Sequence, residues 1–222
     1  MTYVFQFGDV FNSWDELALG AWLTIRLSAL SMVIGLVVAI LCALGKTSGP
    51  KPVRWIVGAY VEAIRNTPFL IQLFMVFFGL PALGLRLDAD TAALLAMVIN
   101  VGAYATEIVR AGIENITRGQ IEAGRALGLK PLQVFRHIVL MPAIQTVYPA
   151  LTSQFILIML NSSVCSAIAA DELTAAANDI QSRSFRSFEV YFVVTGIYLV
   201  MSLAFSTVFA VIERTFLSRG RG

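Results

Sequence analysis

An all-α chain that crosses a membrane five times is the fold class this sequence predicts, on three observations. Of its 222 residues 58% are apolar, where an ordinary globular chain has roughly 45–50%. Charged residues make up 14%, against about 25% in a soluble domain. Those few cluster, so that five uncharged runs open between them: Leu27 to Gly45 (19 residues), Asn66 to Leu85 (20), Thr91 to Thr106 (16), Ile138 to Ala170 (33) and Val190 to Ile212 (23). A membrane helix takes roughly 17–25 residues. This composition argues against a soluble domain and makes lipid the expected surroundings. A net charge of +2 is too small and too scattered for a nucleic-acid footprint, so no nucleic-acid partner is expected.

The chain is read as one transmembrane domain over residues 1–222. A first span is expected at about 21–45. No basic segment precedes it, so it is expected to remain as a helix instead of being cleaved as a signal peptide. Arg26 near its outer end is placed to snorkel to the headgroups. A second span is expected at about 53–80, with Glu62 and Arg65, three residues apart, as a local pair and the phenylalanine-rich run Phe69 to Phe78 as a lipid or packing face. The third, at about 89–113, starts from the shortest run and reaches full length only if Glu107 and Arg110 lie at its inner end. The 33-residue run falls short of two spans and a turn, so it predicts a single span at about 140–168 with an irregular end helped by Pro142 and Pro149. The fifth span is expected at about 188–212. Between the last two, Leu173, Ala176, Ala177 and Ile180 have helical spacing beside Asp171, Glu172 and Asp179, which predicts a short amphipathic helix at the outer surface.

The stretch 114–139 is long enough for helices of its own. Thr117 with Gln120 three residues later is a capping-box pattern and Gly128 a helix stop, which together predict a helix from about Arg118 to Leu127. Pro131 suits the first turn of a second. A helix of about ten residues is marginal alone in water and needs a surface to pack on. The basic residues set the orientation. Lys46, Lys51 and Arg54, then Arg118, Arg125, Lys130 and Arg136, then Arg214, Arg219 and Arg221 fall on one side, against Arg86, Arg183 and Arg186 on the other. The richer side is cytoplasmic by the positive-inside rule, which puts the N-terminus outside and the C-terminus inside.

Catalysis finds little support. Gly45-Lys46-Thr47 echoes the end of a phosphate loop, but Ile40 stands where a glycine is needed and no strand precedes it. The sole histidine, His137, has no nucleophile or metal partners at a recognisable spacing. Cys42 and Cys165 lie inside apolar runs and carry no assigned chemistry. Polar residues at membrane depth are the better candidates. Asn100, Tyr104, Glu107 and Ala111 share one stripe of the third helix, where Glu107 has two uses open: pairing with Arg110, or contacting a substrate. Gln154, Asn161 and Ser162 give the fourth helix a polar face, whose ordinary use is helix–helix adhesion and whose alternative use is a substrate path.

Glu122-Ala123-Gly124, then Gly128, then Ile138 and Leu140 with Pro142 resemble the cytoplasmic EAA loop of ATP-binding-cassette (ABC) importer permeases. Arg65-Asn66-Thr67-Pro68, the stretch Tyr104 to Ile113, and Glu172-Leu173 are similar to the polar amino-acid branch, the histidine, glutamate, glutamine, arginine and opine type. Two departures stand out: Gly124 replaces a second alanine, and Met141 intervenes before the proline. The resemblance implies a type I ABC importer permease fold in a bacterial cytoplasmic (inner) membrane. It implies a second permease, the same or a related chain, a cytoplasmic ABC ATPase dimer that carries ATP and Mg, and a periplasmic or extracellular amino-acid-binding protein. This chain itself would hold no cofactor or metal and would not be an enzyme. Ile121, Glu122, Ala123, Gly124, Arg125, Gly128 and Leu129 would couple to the ATPase. Asn100, Glu107, Gln154, Asn161 and Ser162 would meet a polar or charged amino acid. Related permeases often carry an acidic residue where Asn161 stands. The rival class is an ATP-independent channel or secondary carrier for small polar solutes, though five spans do not divide into the two matching halves of an inverted-repeat carrier.

Overall fold

The computed structural model describes residues 4–217, so Arg219 and Arg221 of the basic tail lie outside the described residues. Among these the secondary structure is helical throughout. The elements are α1 (Gly8–Asn12), α2 (Trp14–Ser48), α3 (Lys51–Arg65), α4 (Phe69–Ala82), α5 (Ala89–Glu114), α6 (Arg118–Ala126), α7 (Pro131–Ile168), α8 (Leu173–Ser184) and α9 (Ser187–Ile212). Four of them, α2, α5, α7 and α9, are long and apolar enough to cross a membrane, and the bent pair α3 and α4 makes a fifth if counted as one crossing.

The centre of the bundle is α2 against α5. One face of α2 carries Gly20, Thr24, Ser28, Ser31, Gly35, Ala39 and Ala43, all buried. The steps of three and four keep them on a single stripe of small side chains, set against α8 at Gly20 and Thr24 and against α5 at Gly35, which lets the backbones approach closely where apolar burial alone gives no drive between helices in lipid. A Cβ added to Gly35 would lie 2.6 Å from Cγ1 of Val101 on α5. The facing stripe of α5 is small as well, with Ala92, Ala93, Ala96 and Ala103 buried. Leu73, Met97, Ile158, Met159 and Leu173 fill the core around this seam.

The expected continuous second span is broken. α3 and α4 meet at 113° across Asn66-Thr67-Pro68, the segment that the uncharged run treated as the start of a helix. Pro68 has no N–H to donate and disfavours helical geometry at Thr67. The side chains of Asn66 and Thr67 donate back to the carbonyls of Glu62 and Ala63, at 2.8 Å each. Apolarity measured the run correctly but carried no information about its direction.

The helix containing 140–168 begins earlier, at Pro131, and its first turns widen into a π turn, Val134–Leu140, just before Pro142. The irregular end lies elsewhere than the prolines suggested: the last turns tighten into a 3₁₀ segment, Ser162–Ile168, beyond both. Ser162 and Ser163 donate to Met159 and Leu160 carbonyls there. Ala169, at φ 56°, then turns the chain into α8.

At the end opposite the basic loops, α8 packs along the first turns of α2. Leu173, Ala177 and Ile180 are buried, and the Thr24 hydroxyl accepts the Leu173 N–H at 3.1 Å. Arg26 therefore lies three turns inside α2 and not near its tip, because the helix continues past the bundle to support this layer. Glu172 caps α8: its carboxylate accepts the N–H groups of Thr174 and Ala175 and the Tyr198 hydroxyl. It is 1% exposed, and burial pushes its carboxyl above the usual range against those donors. Glu16 pairs with Arg183 across the same layer.

Candidate functional site

Two places answer to the residues singled out by sequence: the polar groups along α5 and α7, and the helix that follows α5. α5 brings its stripe down the middle of the bundle. Asn100, 5% exposed, donates to the Gln72 side-chain carbonyl of α4 at 2.9 Å. Gln72 in turn donates to Ile64 O and Thr67 O at the bend. This chain of amides ties α5 to the broken helix and satisfies carbonyls that the break leaves without helical donors. One turn further, Arg65 lies over the Tyr104 ring, 5.6 Å from its centroid. The expected pairing of Arg65 with Glu62 is absent among the described residues; Glu62 instead accepts from Asn66 at 3.0 Å. A helix that ends at residue 65 gives the Arg65 side chain an aromatic face to lie on, and Asn66 is free to fold back.

Glu107 takes both of its neighbours. It accepts from Arg110 at 2.8 Å, the expected i,i+3 pair, and from Lys46 at the end of α2 at 2.6 Å. Arg110 continues the chain to Glu114. The four alternate in sign, and Lys46, Glu107 and Arg110 are partly covered, which strengthens their pairs relative to the exposed one with Glu114. Lys46 is the residue that sequence reasoning missed. Gly45-Lys46-Thr47 only echoes a phosphate loop, and nothing local tells that α5 brings a carboxylate to it. Gln72 was equally overlooked, though a lone amide inside an uncharged run was a legible signal.

On α7, Ser162 is buried and turned onto its own helix, Gln154 is half-buried, and Asn161 is exposed. Neither amide has a hydrogen-bond partner among the described residues. The α5 and α7 polar groups are thus not joined to one another by hydrogen bonds. A cavity of about 250 Å³ opens beside the bend, lined by Ile64, Thr67, Ile71, Gln72, Ala96 and Ile99 among others. None of the five residues expected to meet substrate lines it.

α6 is built as its sequence specifies. The Gln120 side chain accepts the Thr117 N–H at 3.0 Å. At the other end Gly128, at φ 75°, donates to Arg125 O, and Leu129 donates to Gly124 O, the paired bonds of a left-handed helix stop. Gly124 is the one buried residue of α6, set against Ile138 and Val134 of α7 so closely that a Cβ there would collide with the Ile138 side chain. That accounts for glycine in place of a second alanine. Glu122, Ala123 and Arg125 point outward and are exposed, Leu127 is 80% exposed, and Ile121 and Leu129 are partly covered. Among the described residues no group of three or more His, Cys, Asp and Glu side chains could hold a metal.

The family described as binding-protein-dependent transport system inner membrane component matches residues 33–218. The chain belongs to this family. Its members are transport components rather than enzymes, and the inner membrane is where this one belongs. Among curated relatives, the permease is 37% identical over 202 residues to the L-cystine transport system permease protein TcyB of Bacillus subtilis (strain 168), covering 90% of this chain and 86% of that one. It is 34% identical to the glutamine transport system permease protein GlnP of Escherichia coli (strain K12), over 88% and 90% of the two chains. A crystal structure of an amino acid ABC transporter with histidines superposes with a TM-score of 0.87 at 36% identity, over 96% of this chain and 99% of that one. An inward-facing form of the MetNI methionine ABC transporter shares the fold at 21% identity, with a TM-score of 0.73. The type I importer permease fold is thereby established, and α6 of this permease lies on the stretch that carries the EAA-like sequence.

Proposed function

We propose that this permease is the membrane subunit of an ATP-driven importer of polar or charged amino acids. The observation that carries the reading is α6: a short helix capped at both ends, seated by Gly124 on α7, with Glu122, Arg125 and Leu127 turned away from the bundle. A helix so presented is suited to insert into a groove on a second protein. In this reading that protein is a cytoplasmic ATPase dimer, which holds ATP and Mg. The named substrates of the relatives, cystine and glutamine among them, support an amino-acid cargo.

The basic end, with Lys46, Lys51, Arg118, Arg125 and Lys130, is then cytoplasmic, and the layer formed by α8 and the start of α2 faces outward to receive a binding protein. Two permeases, identical or related, pair around the path. ATP binding draws the ATPases together, α6 moves with them, and α7 follows through the Gly124 seat, so the path opens alternately to each side. Asn161 and Gln154, whose amides are unengaged, supply donors and acceptors to a zwitterion crossing where water is scarce. Asn100, Glu107 and Ser162, held by other residues in this conformation, join them only if the transport cycle releases them.

The test is uptake of labelled glutamine, arginine and cystine into vesicles reconstituted with this permease, its ATPase and its binding protein. Accumulation that needs ATP inside the ATPase compartment supports the reading. Uptake that persists without the ATPase selects the channel or secondary carrier instead.

A further inference from the structure

One stripe of α2 is turned away from the helices it packs on. Trp22, Leu30, Val33, Val37, Ile40 and Leu44 follow one another at helical spacing with Arg26 between the first two, all exposed. They lie opposite the small-residue face that packs on α5, so this is the hydrocarbon-facing side. Arg26 is the only charge between Glu16 and Lys46, and its guanidinium has no hydrogen-bond or ion-pair partner among the described residues. Trp22, one turn away, is the residue type that settles at headgroup depth.

Arg26 does not stand on a bare surface. It lines a cavity of about 160 Å³ together with Asp90, Thr91 and Asp171, floored by Leu23, Leu27, Leu30 and Leu94. Asp90 is fixed there, accepting the Asp171 N–H at 2.8 Å. The site therefore offers one cation and two carboxylates at the rim of an apolar stripe.

We propose that this cavity holds the head of an aminophospholipid of the phosphatidylethanolamine class, its phosphate on Arg26, its ammonium between Asp90 and Asp171, and an acyl chain along Leu30, Val33 and Val37. The charge order selects the lipid. A quaternary choline has no N–H to give the carboxylates, and a glycerol head brings no positive charge to them. The leucine floor and its continuity with the stripe favour a lipid over a free amino acid of the same charges. On the orientation proposed above the lipid belongs to the outer leaflet, but its binding does not depend on which amino acid is carried.

The assembled importer, stripped of lipid in detergent, would be titrated with phosphatidylethanolamine, phosphatidylcholine and phosphatidylglycerol of identical chains and read by native mass spectrometry. Phosphatidylethanolamine should be retained about tenfold better than either, the worth of one charge-assisted hydrogen bond. Arg26→Gln should lower retention of phosphatidylethanolamine and phosphatidylglycerol together. Asp171→Asn, which keeps its backbone N–H, should remove only the preference for the amine. Equal retention of the three lipids by the unaltered importer overturns the proposal, whatever the variants do. So does displacement of bound lipid by free glutamine, or a disulfide between two copies carrying Trp22→Cys, which would show the stripe covered by protein.

Discussion

A buried amide that gives its proton to another amide is a different object from an amide with nothing to hold, and Asn100 and Asn161 divide along that line. Asn100→Leu leaves the Gln72 carbonyl unpaired inside the bundle. It should lower thermal stability by about 1 kcal/mol, the usual worth of such bonds in membrane proteins, read as a fall in the unfolding midpoint in detergent. Asn161→Leu should leave that midpoint in place and reduce uptake. If Asn161→Leu transports like the parent, the amide is no part of the path. The capping carboxylate behaves differently again. Burial raises the Glu172 carboxyl, so the folded state holds its proton more tightly than the unfolded chain does. Its contribution to stability is then fullest below the unfolded value of about 4.3 and declines as pH rises through the raised folded value. Glu172→Gln should flatten that decline in a pH series of unfolding midpoints; an unchanged slope would mean another group titrates.

At the scale of helices, close approach is the testable quantity. Gly35→Ala puts a methyl 2.6 Å from Val101 and should cost about 1–3 kcal/mol by overpacking. Gly58→Ala, with nothing within 4 Å, should be neutral or slightly stabilising through helix propensity. For α6, Gly128→Val strains a left-handed position and should uncouple ATP hydrolysis from uptake while the spans fold normally, checked by helical content and by uptake against ATPase rate. Wild-type uptake would remove α6 from the coupling role.

The same comparison shows what the sequence could reveal. α6 was readable nearly to the residue because its signals, Thr117, Gln120 and Gly128, are local backbone chemistry. α5 was readable because its run is bounded by charge. The bend between α3 and α4 is hidden inside an apolar run, although Asn66-Thr67-Pro68 carries the necessary turn chemistry, because hydropathy measures the length of a run and not its direction. The Lys46 to Glu107 bridge and the Asn100 to Gln72 bond join residues far apart in the chain, and no spacing rule anticipates such meetings.

For the molecule as a whole, the chain belongs to a family of transport components and not of enzymes. Purified without its partner it should show no ATPase activity, and hydrolysis surviving in that preparation would contradict the assignment. The Lys46, Glu107, Arg110 and Glu114 chain makes a second prediction at this scale. Lys46→Met removes the only member contributed by α2, so it should loosen α2 from the last turns of α5. Faster hydrogen exchange in the last turns of α2 would report this, and unchanged exchange would show that packing alone holds the seam.

The 35 residues of α2 make a rod about 52 Å long, while the hydrocarbon it crosses is about 30 Å thick. Its length therefore exceeds that thickness by roughly 20 Å, and its first turns are fastened to α8 by Thr24 and by Arg183 to Glu16. Because its buried stripe is packed on α5 and α8 from Gly20 to Ala43, this rod tilts only as one body with them. Tilting it by 10° about its C-terminal end carries the far tip sideways by about 9 Å, from length alone. On the function proposed above, a small rotation driven from the ATPase would thus arrive at the opposite face as a displacement as wide as a side chain is long, with α8 carried along, large enough to loosen a docked binding protein's hold on its cargo.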